Sequence, residues 1–152
     1  MDGGARDIMA FPNPDKYIRK AYLTLLTPIG LPIWDMQIPA DVTVPSKYCL
    51  LQSQTKRELD RNKCDKLWDC TLSIDIYVRG TRGFADRSVI DDMEQAVTDL
   101  VQPDVQSDIA IPPFVVYETI IEQPIDVNIQ TPNETILHRV LRIRHFVGEA
   151  AV

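Results

Sequence analysis

The stretch that decides the fold is Lys66-Leu-Trp-Asp-Cys-Thr-Leu-Ser-Ile-Asp-Ile-Tyr-Val-Arg79. Trp68, Cys70, Leu72, Ile74, Ile76 and Val78 take every second position, with Asp69, Thr71, Ser73, Asp75, Tyr77 and Arg79 between them. Successive side chains of a strand point to opposite faces, so the run carries one apolar and one mainly polar face. This pattern predicts a long antiparallel strand, packed on a core through one face and wet, or met by a partner, on the other.

Residues 85–101 follow with a helical period. Val89, Ile90, Met93, Ala96, Val97, Leu100 and Val101 share one face, and Asp91, Asp92, Glu94, Gln95 and Asp99 lie mostly off it. Gly80-Thr81-Arg82-Gly83 separates this helix from the strand and Pro103 closes it. Its apolar face is the natural lid for the apolar face of the strand.

Upstream, residues 1–12 form a loose arm in which Ile8, Met9 and Phe11 are apolar enough to dock on a neighbour. Asn13-Pro14 signals a helix start over 15–27, which Pro28 and Gly30 end. Residues 32–39 are a short extended segment between prolines, and 47–53 read as a strand. Residues 54–66 are charged, show neither period, and read as an exposed hairpin loop. Downstream, 114–130 returns to a period of two, with Val115, Tyr117, Thr119, Ile121, Ile125, Val127 and Ile129 on one side. Pro124 interrupts it, which implies an edge, a bulge or a break into two strands. After a turn at 131–134, residues 135–147 are the last strand. Its mixture of apolar and basic residues on both faces suits contact with another subunit. The order predicts an α+β fold, a mostly antiparallel sheet with two helices packed on one face, as one domain over 13–152 behind the 1–12 arm.

A length of 152 residues suffices for one ordinary domain with its own core. Hydrophobic residues at 45% and charged ones at 25% fit a globular chain. The net charge of -6 argues against a dedicated nucleic-acid binder, which shows a basic patch, and is compatible with a wall that DNA passes without sticking. No run of about 18 apolar residues predicts a membrane span, and the start lacks the basic end and apolar core of a signal peptide. Cys49, Cys64 and Cys70 lack metal-type spacing and read as reduced, structural residues.

The sequence carries no GxGxxG, P-loop, GxSxG or HExxH motif. His138 and His145 lie seven apart on one predicted strand, hence on opposite faces and ~23 Å apart, too far to act as a pair. Asp91, Asp92 and Glu94 read either as a metal cluster or as a solvated helix face that favours the helix N-terminus; a hydrolase or nuclease would use Asp91, Asp92 and His138. Asp69, Asp75, Glu118, Glu122 and Asp126 would line an acidic lumen or be the wet side of a sheet. Arg139, Arg142 and Arg144 would bind phosphates or pair with acidic strands of the same sheet or of a neighbouring copy. Trp34 and Trp68 would stack on a ligand or fill the core or an interface. No catalytic, cofactor or metal-binding set is expected.

In order, the helix Tyr17-Ile18-Arg19-Lys20-Ala21-Tyr22-Leu23, the segment Pro32-Ile33-Trp34-Asp35, the strand Lys47-Tyr48-Cys49-Leu50-Leu51, the strand Trp68 to Val78, the helix after Gly83 and two closing strands resemble the phage tail-terminator or tail-completion family. The resemblance spans Tyr17 to Val147. It implies an α/β sandwich acting as a ring that caps the tail tube and joins it to the head connector. The chain is then a non-enzymatic virion protein of the tail or neck, made in the host cytoplasm. Its partners are its own copies, in a ring of six or of twelve, with tail-tube and neck proteins above and below and DNA passing only through the lumen. Phe11, Arg57, Arg61, Lys63, Arg139, Arg142 and Arg144 are the expected contact residues. The alternative is a small-ligand-binding or regulatory α+β domain using Trp34, Trp68 and a pocket under the 85–101 helix.

Overall fold

The alternating stretch forms β3 (Lys66–Thr81), and its six apolar side chains are at most 6% exposed. The structure, a computed structural model, describes residues 13–61, 66–81, 85–104 and 108–149. On one side β3 pairs antiparallel with β2 (Lys47–Arg61), whose outer edge carries β1 (Ile33–Asp35) in parallel. On its other side it pairs antiparallel with β7 (Glu134–Glu149), the last strand of the chain. Beyond β7 lie β4 (Phe114–Ile121) and two short strands, β5 (Ile125–Asp126) and β6 (Ile129–Gln130), all antiparallel to it. The result is a seven-stranded, mostly antiparallel sheet of order β1-β2-β3-β7-β4.

Both helices lie on one face of that sheet, and the fold is α+β as expected. In α1 (Asp15–Leu26), Ile18, Tyr22 and Leu26 recur every fourth residue and are buried. In α2 (Arg87–Val101), Ile90, Met93, Val97 and Val101 form the buried stripe. These residues share one core with the apolar faces of β2, β3 and β7. At about 1.5–3 kcal/mol for each large apolar side chain removed from water, packing outweighs intrinsic propensity in holding the helices. The ends are chemically marked. The Asn13 side chain accepts the Asp15 backbone N–H at 2.9 Å, and the Asp86 carboxylate accepts that of Ser88 at 2.9 Å. The turn after α1 stops at Gly30, whose φ of 72° suits a residue without Cβ and whose N–H returns to Thr27 O.

Three readings of the sequence need correction. The 54–66 segment is not a loop: β2 continues to Arg61 and β3 starts at Lys66. Its polar pattern reflects a hairpin end that needs core on neither face and is held by its ladder and by pairs such as Lys66–Glu58. In β4 the register shifts between Val116 and Glu118, so the buried set is Phe114 and Thr119, and Val115 and Tyr117 turn outward. A bulge of one residue reverses the phase of a period-two count. β7 pairs along both edges within the chain, with β3 and β4, so contact with another subunit is left to its faces. Asp126, finally, does not share a face with Asp69 and Asp75: its partner in register is Arg139, on the helix side. Pro124 does break the 114–130 segment into separate strands.

Candidate functional site

Among the described residues, no element covers the sheet face opposite the helices. At one end of it a row of rings crosses four adjacent strands. Trp34 on β1 meets Tyr48 on β2 edge-on at 6.4 Å, Tyr48 stacks on Tyr77 of β3 at 4.8 Å, and Tyr77 stacks on His138 of β7 at 4.2 Å. The register dictates the last two contacts, since Tyr48 is opposite Tyr77 and Tyr77 opposite His138. Burial pushes the Tyr48 and Tyr77 phenols up, Tyr77 to about 12. Below the row, Ser73 Oγ donates to Asp75 Oδ1 at 2.6 Å, and Asp75 Oδ2 meets His138 Nε2 at 2.9 Å. The carboxylate sits between the hydroxyl and the imidazole. His138 therefore has no contact through which to take the serine proton, and the trio lacks the Ser–His–Asp order of a nucleophilic triad.

The other end of the open face is charged. Asp69, itself buried, is gripped by both arms of Arg144, at 2.6 and 3.3 Å, and approached by Arg57 at 3.7 Å. Arg144 also reaches Glu122 at 3.8 Å and lies over the Phe146 ring. Arg142 stands opposite Ser73, is exposed, and has no ion pair or hydrogen bond to a described side chain.

Arg139 lies on the other side of the sheet, because consecutive strand residues alternate. Its Nε donates to Asp126 at 2.7 Å and its Nη1 to Asp91 at 2.7 Å and Glu94 at 2.8 Å. These carboxylates hold the guanidinium pKa well up, and the bond to Arg139 keeps that of Asp126 below the usual carboxylate range. Asp91 and Glu94 thus serve an ion cluster that ties α2 and β5 to β7. The sheet separates them from His138, so Asp91, Asp92 and His138 do not converge. Among the described residues no group of three or more His, Cys, Asp or Glu side chains could hold a metal ion.

Of the expected contact residues, the structure puts Arg57, Arg142 and Arg144 on the open face and Arg139 in the helix-side cluster. Arg61 pairs through its backbone with Lys66, and its side chain, like Phe11, Lys63 and Cys64, lies outside the described residues. Trp68 is core, against Phe114. Cys49 and Cys70 are buried, and desolvation pushes both thiols up to about 12.

Sequence reasoning missed where the exposed apolar side chains collect. Met36, at 66% exposure, Val42, Val44 and Leu59 belong to β2 and the connection leading into it. Val115, Tyr117, at 61%, Ile125, Val127 and Ile129 belong to β4–β6 and their connections. These are the two opposite edges of the sheet. β1 covers only Cys49–Leu51 of β2, and beyond it the outer side of β2 has no described strand beside it. A separate groove of about 700 Å³ runs between α1 and the end of α2, closed by residues 108–112. Neither Trp34 nor Trp68 lines it.

A sheet backed by two helices, with apolar side chains on both edges and an open polar face, describes a class of small α+β proteins. No family profile matches the chain, and no curated protein sequence matches it. Among solved structures, a chain of the virion of a native gene transfer agent particle is similar in fold, with a TM-score of 0.57 and 13% sequence identity, over 80% of this chain and 84% of that one.

Proposed function

We propose that this protein is a structural component of a virion: one subunit of a closed homo-oligomeric ring at a phage head–tail junction, acting as a tail terminator, tail-completion or neck protein. The observation that carries this reading is the division of exposed apolar side chains between two opposite sheet edges. A two-fold dimer uses one patch twice, whereas two different patches on opposite sides suit head-to-tail contact, which closes into a ring when the rotation allows. The fold similarity to a chain of a gene transfer agent virion supports the virion part of this reading, and the resemblance of the element order over 17–147 to tail terminators supports the ring.

In such a ring the edge residues Met36, Leu59, Tyr117 and Ile125 join copies. The open face, with Arg57 and Arg142 reaching outward, meets the tail-tube and neck layers, and DNA passes the lumen without being held. The role is assembly rather than catalysis, consistent with the order of Ser73, Asp75 and His138. The subunit is made in the host cytoplasm and resides in the virion.

The test is the mass in solution by light scattering across a concentration series, with negative-stain images of the same sample. A discrete ring of six or twelve copies is the expected result. A 17.3 kDa monomer at every concentration that also binds no tail or neck component would overturn the reading.

A further inference from the structure

We propose that the groove between the two helices is the seat for the N-terminal segment of a second copy of this chain, residues 8–11, with Phe11 as its anchor. The inference rests on the ring reading only for the presence of a neighbour; the fit of groove and segment stands without it. The groove is walled by Tyr17, Ala21 and Leu25 of α1, by Leu100 and Val101 of α2, and by Ile109. Ala21, between Tyr17 and Leu25, is the smallest of the α1 side chains that line it and is where a large ring would find most room. Walls of this kind offer water few partners and favour an apolar occupant.

The segment matches in pattern, length and charge. Met9 and Phe11 are two apart, so an extended chain presents both to the same wall. Extended, Asp7 to Phe11 spans ~13 Å, and α1 from Tyr17 to Leu25 spans ~12 Å. Lys20 and Asp108 line the groove, and Arg6 and Asp7 precede the apolar residues, so each charge has an opposite to meet. Reach favours a neighbour over the same chain: Phe11 is two residues from Asn13 at the start of α1, a span of at most ~7 Å, whereas Ala21 lies ~12 Å along the helix from there.

The test uses the full chain in a Cys64→Ser background, where the remaining cysteines are buried with thiols too weakly acidic to exchange readily. Phe11→Cys and Ala21→Cys variants are mixed, oxidised and run on a denaturing gel. A disulfide-linked pair formed from the mixture is expected, and a chain carrying both changes should yield linked oligomers. A doubly changed chain that closes only on itself at every concentration overturns the inference. So does the absence of any link while light scattering still reports a ring, and that outcome leaves the ring reading intact. If light scattering reports a monomer, the ring reading fails and a synthetic peptide of residues 6–14 decides the groove. Titrated into the Phe11→Ser chain, it should shift the methyl resonances of Ala21, Leu25 and Leu100, with affinity falling about tenfold or more in Ala21→Trp. Unmoved methyl resonances overturn the inference.

Discussion

Tyr22 on α1 and His145 on β7, 123 positions apart in the chain, meet in the interior through a 2.5 Å contact between the phenol oxygen and Nε2. Both side chains are completely buried. The second ring nitrogen, Nδ1, faces Thr119 Oγ1 at 3.1 Å. Burial pushes the Tyr22 phenol well up and the His145 imidazole down to about 4, so both are neutral near pH 7. A neutral imidazole has one donor and one acceptor. We assign the phenol, the more acidic hydroxyl, as donor to Nε2, which leaves Nδ1–H to donate to Thr119. The tie holds α1, β4 and β7 in one arrangement.

Replacing Tyr22 by Phe removes the donor and leaves Nε2 buried and unpaired. The expected loss is about 1–3 kcal/mol of stability, seen in urea unfolding as a lower midpoint with an unchanged slope. A variant as stable as the parent would show that this contact contributes nothing net.

His145 also sets a pH dependence. Its pKa is about 4 in the folded protein and about 6.5 when unfolded. Between those values the unfolded chain holds the extra proton, so stability rises with pH across this window and is lost as pH falls from about 6.5 towards 4. The full effect is about 3 kcal/mol. Unfolding free energies at several pH values for the parent and for His145→Gln isolate it: the parent should show the steeper fall, and equal slopes would contradict the assignment.

The Arg139 cluster makes a local prediction. In Arg139→Met the apolar stem remains, and Asp91 and Asp126, both already in contact with solvent, lose their partner. The loss should be about 1–2 kcal/mol, less than for a fully buried pair. Hydrogen exchange should quicken first at Ile125 and Asp126, which β7 holds through this residue.

Met36 separates folding from assembly. Among the described residues it is the non-glycine one with a positive φ, 68°, and hydrogen bonds to Leu51 O and from the Gln52 amide pin it there. Its side chain is 66% exposed and packs little within the subunit. Met36→Gly should leave the subunit equally stable or up to about 1 kcal/mol more stable, since relief of strain is partly offset by a freer unfolded chain. The same change should weaken the ring. Thermal melts read the first effect and light scattering the second; an unaltered ring would remove Met36 from the contact between copies.

Much of the fold was legible because β3, α1 and α2 each bury one clean stripe, and a stripe has a period. The β4 phase was hidden by the bulge at Tyr117, whose ring lies over Gly148 so closely that a Cβ there would approach it to 2.7 Å. β7 looked irregular because His145 and Arg139 sit on its helix side with the apolar residues, and the groups that accommodate them, Tyr22, Thr119, Asp91 and Asp126, come from distant parts of the chain. The arginine pairings with acidic neighbours were readable in kind, though not as to which acid each would take. The apolar edges were not readable at all, since residues 36–59 and 115–129 become opposite borders only through the strand order.

That order, with the last strand inserted between β3 and β4, also governs the timing of biogenesis. The ribosome synthesises β1 to β6 before Glu134–Glu149 exists. Until then β3 shows a bare hydrogen-bonding edge, and β4, β5 and β6 have none of the partner strand they all share. Synthesis at about 5–20 residues per second leaves this incomplete sheet waiting for seconds. The β4–β6 border is therefore not in place for a sister molecule until translation has passed residue 149, whereas the β1–β2 border needs only β3, which is made earlier. In the interval the bare β3 edge offers a pairing site to other unfinished chains, which the arrival of β7 closes.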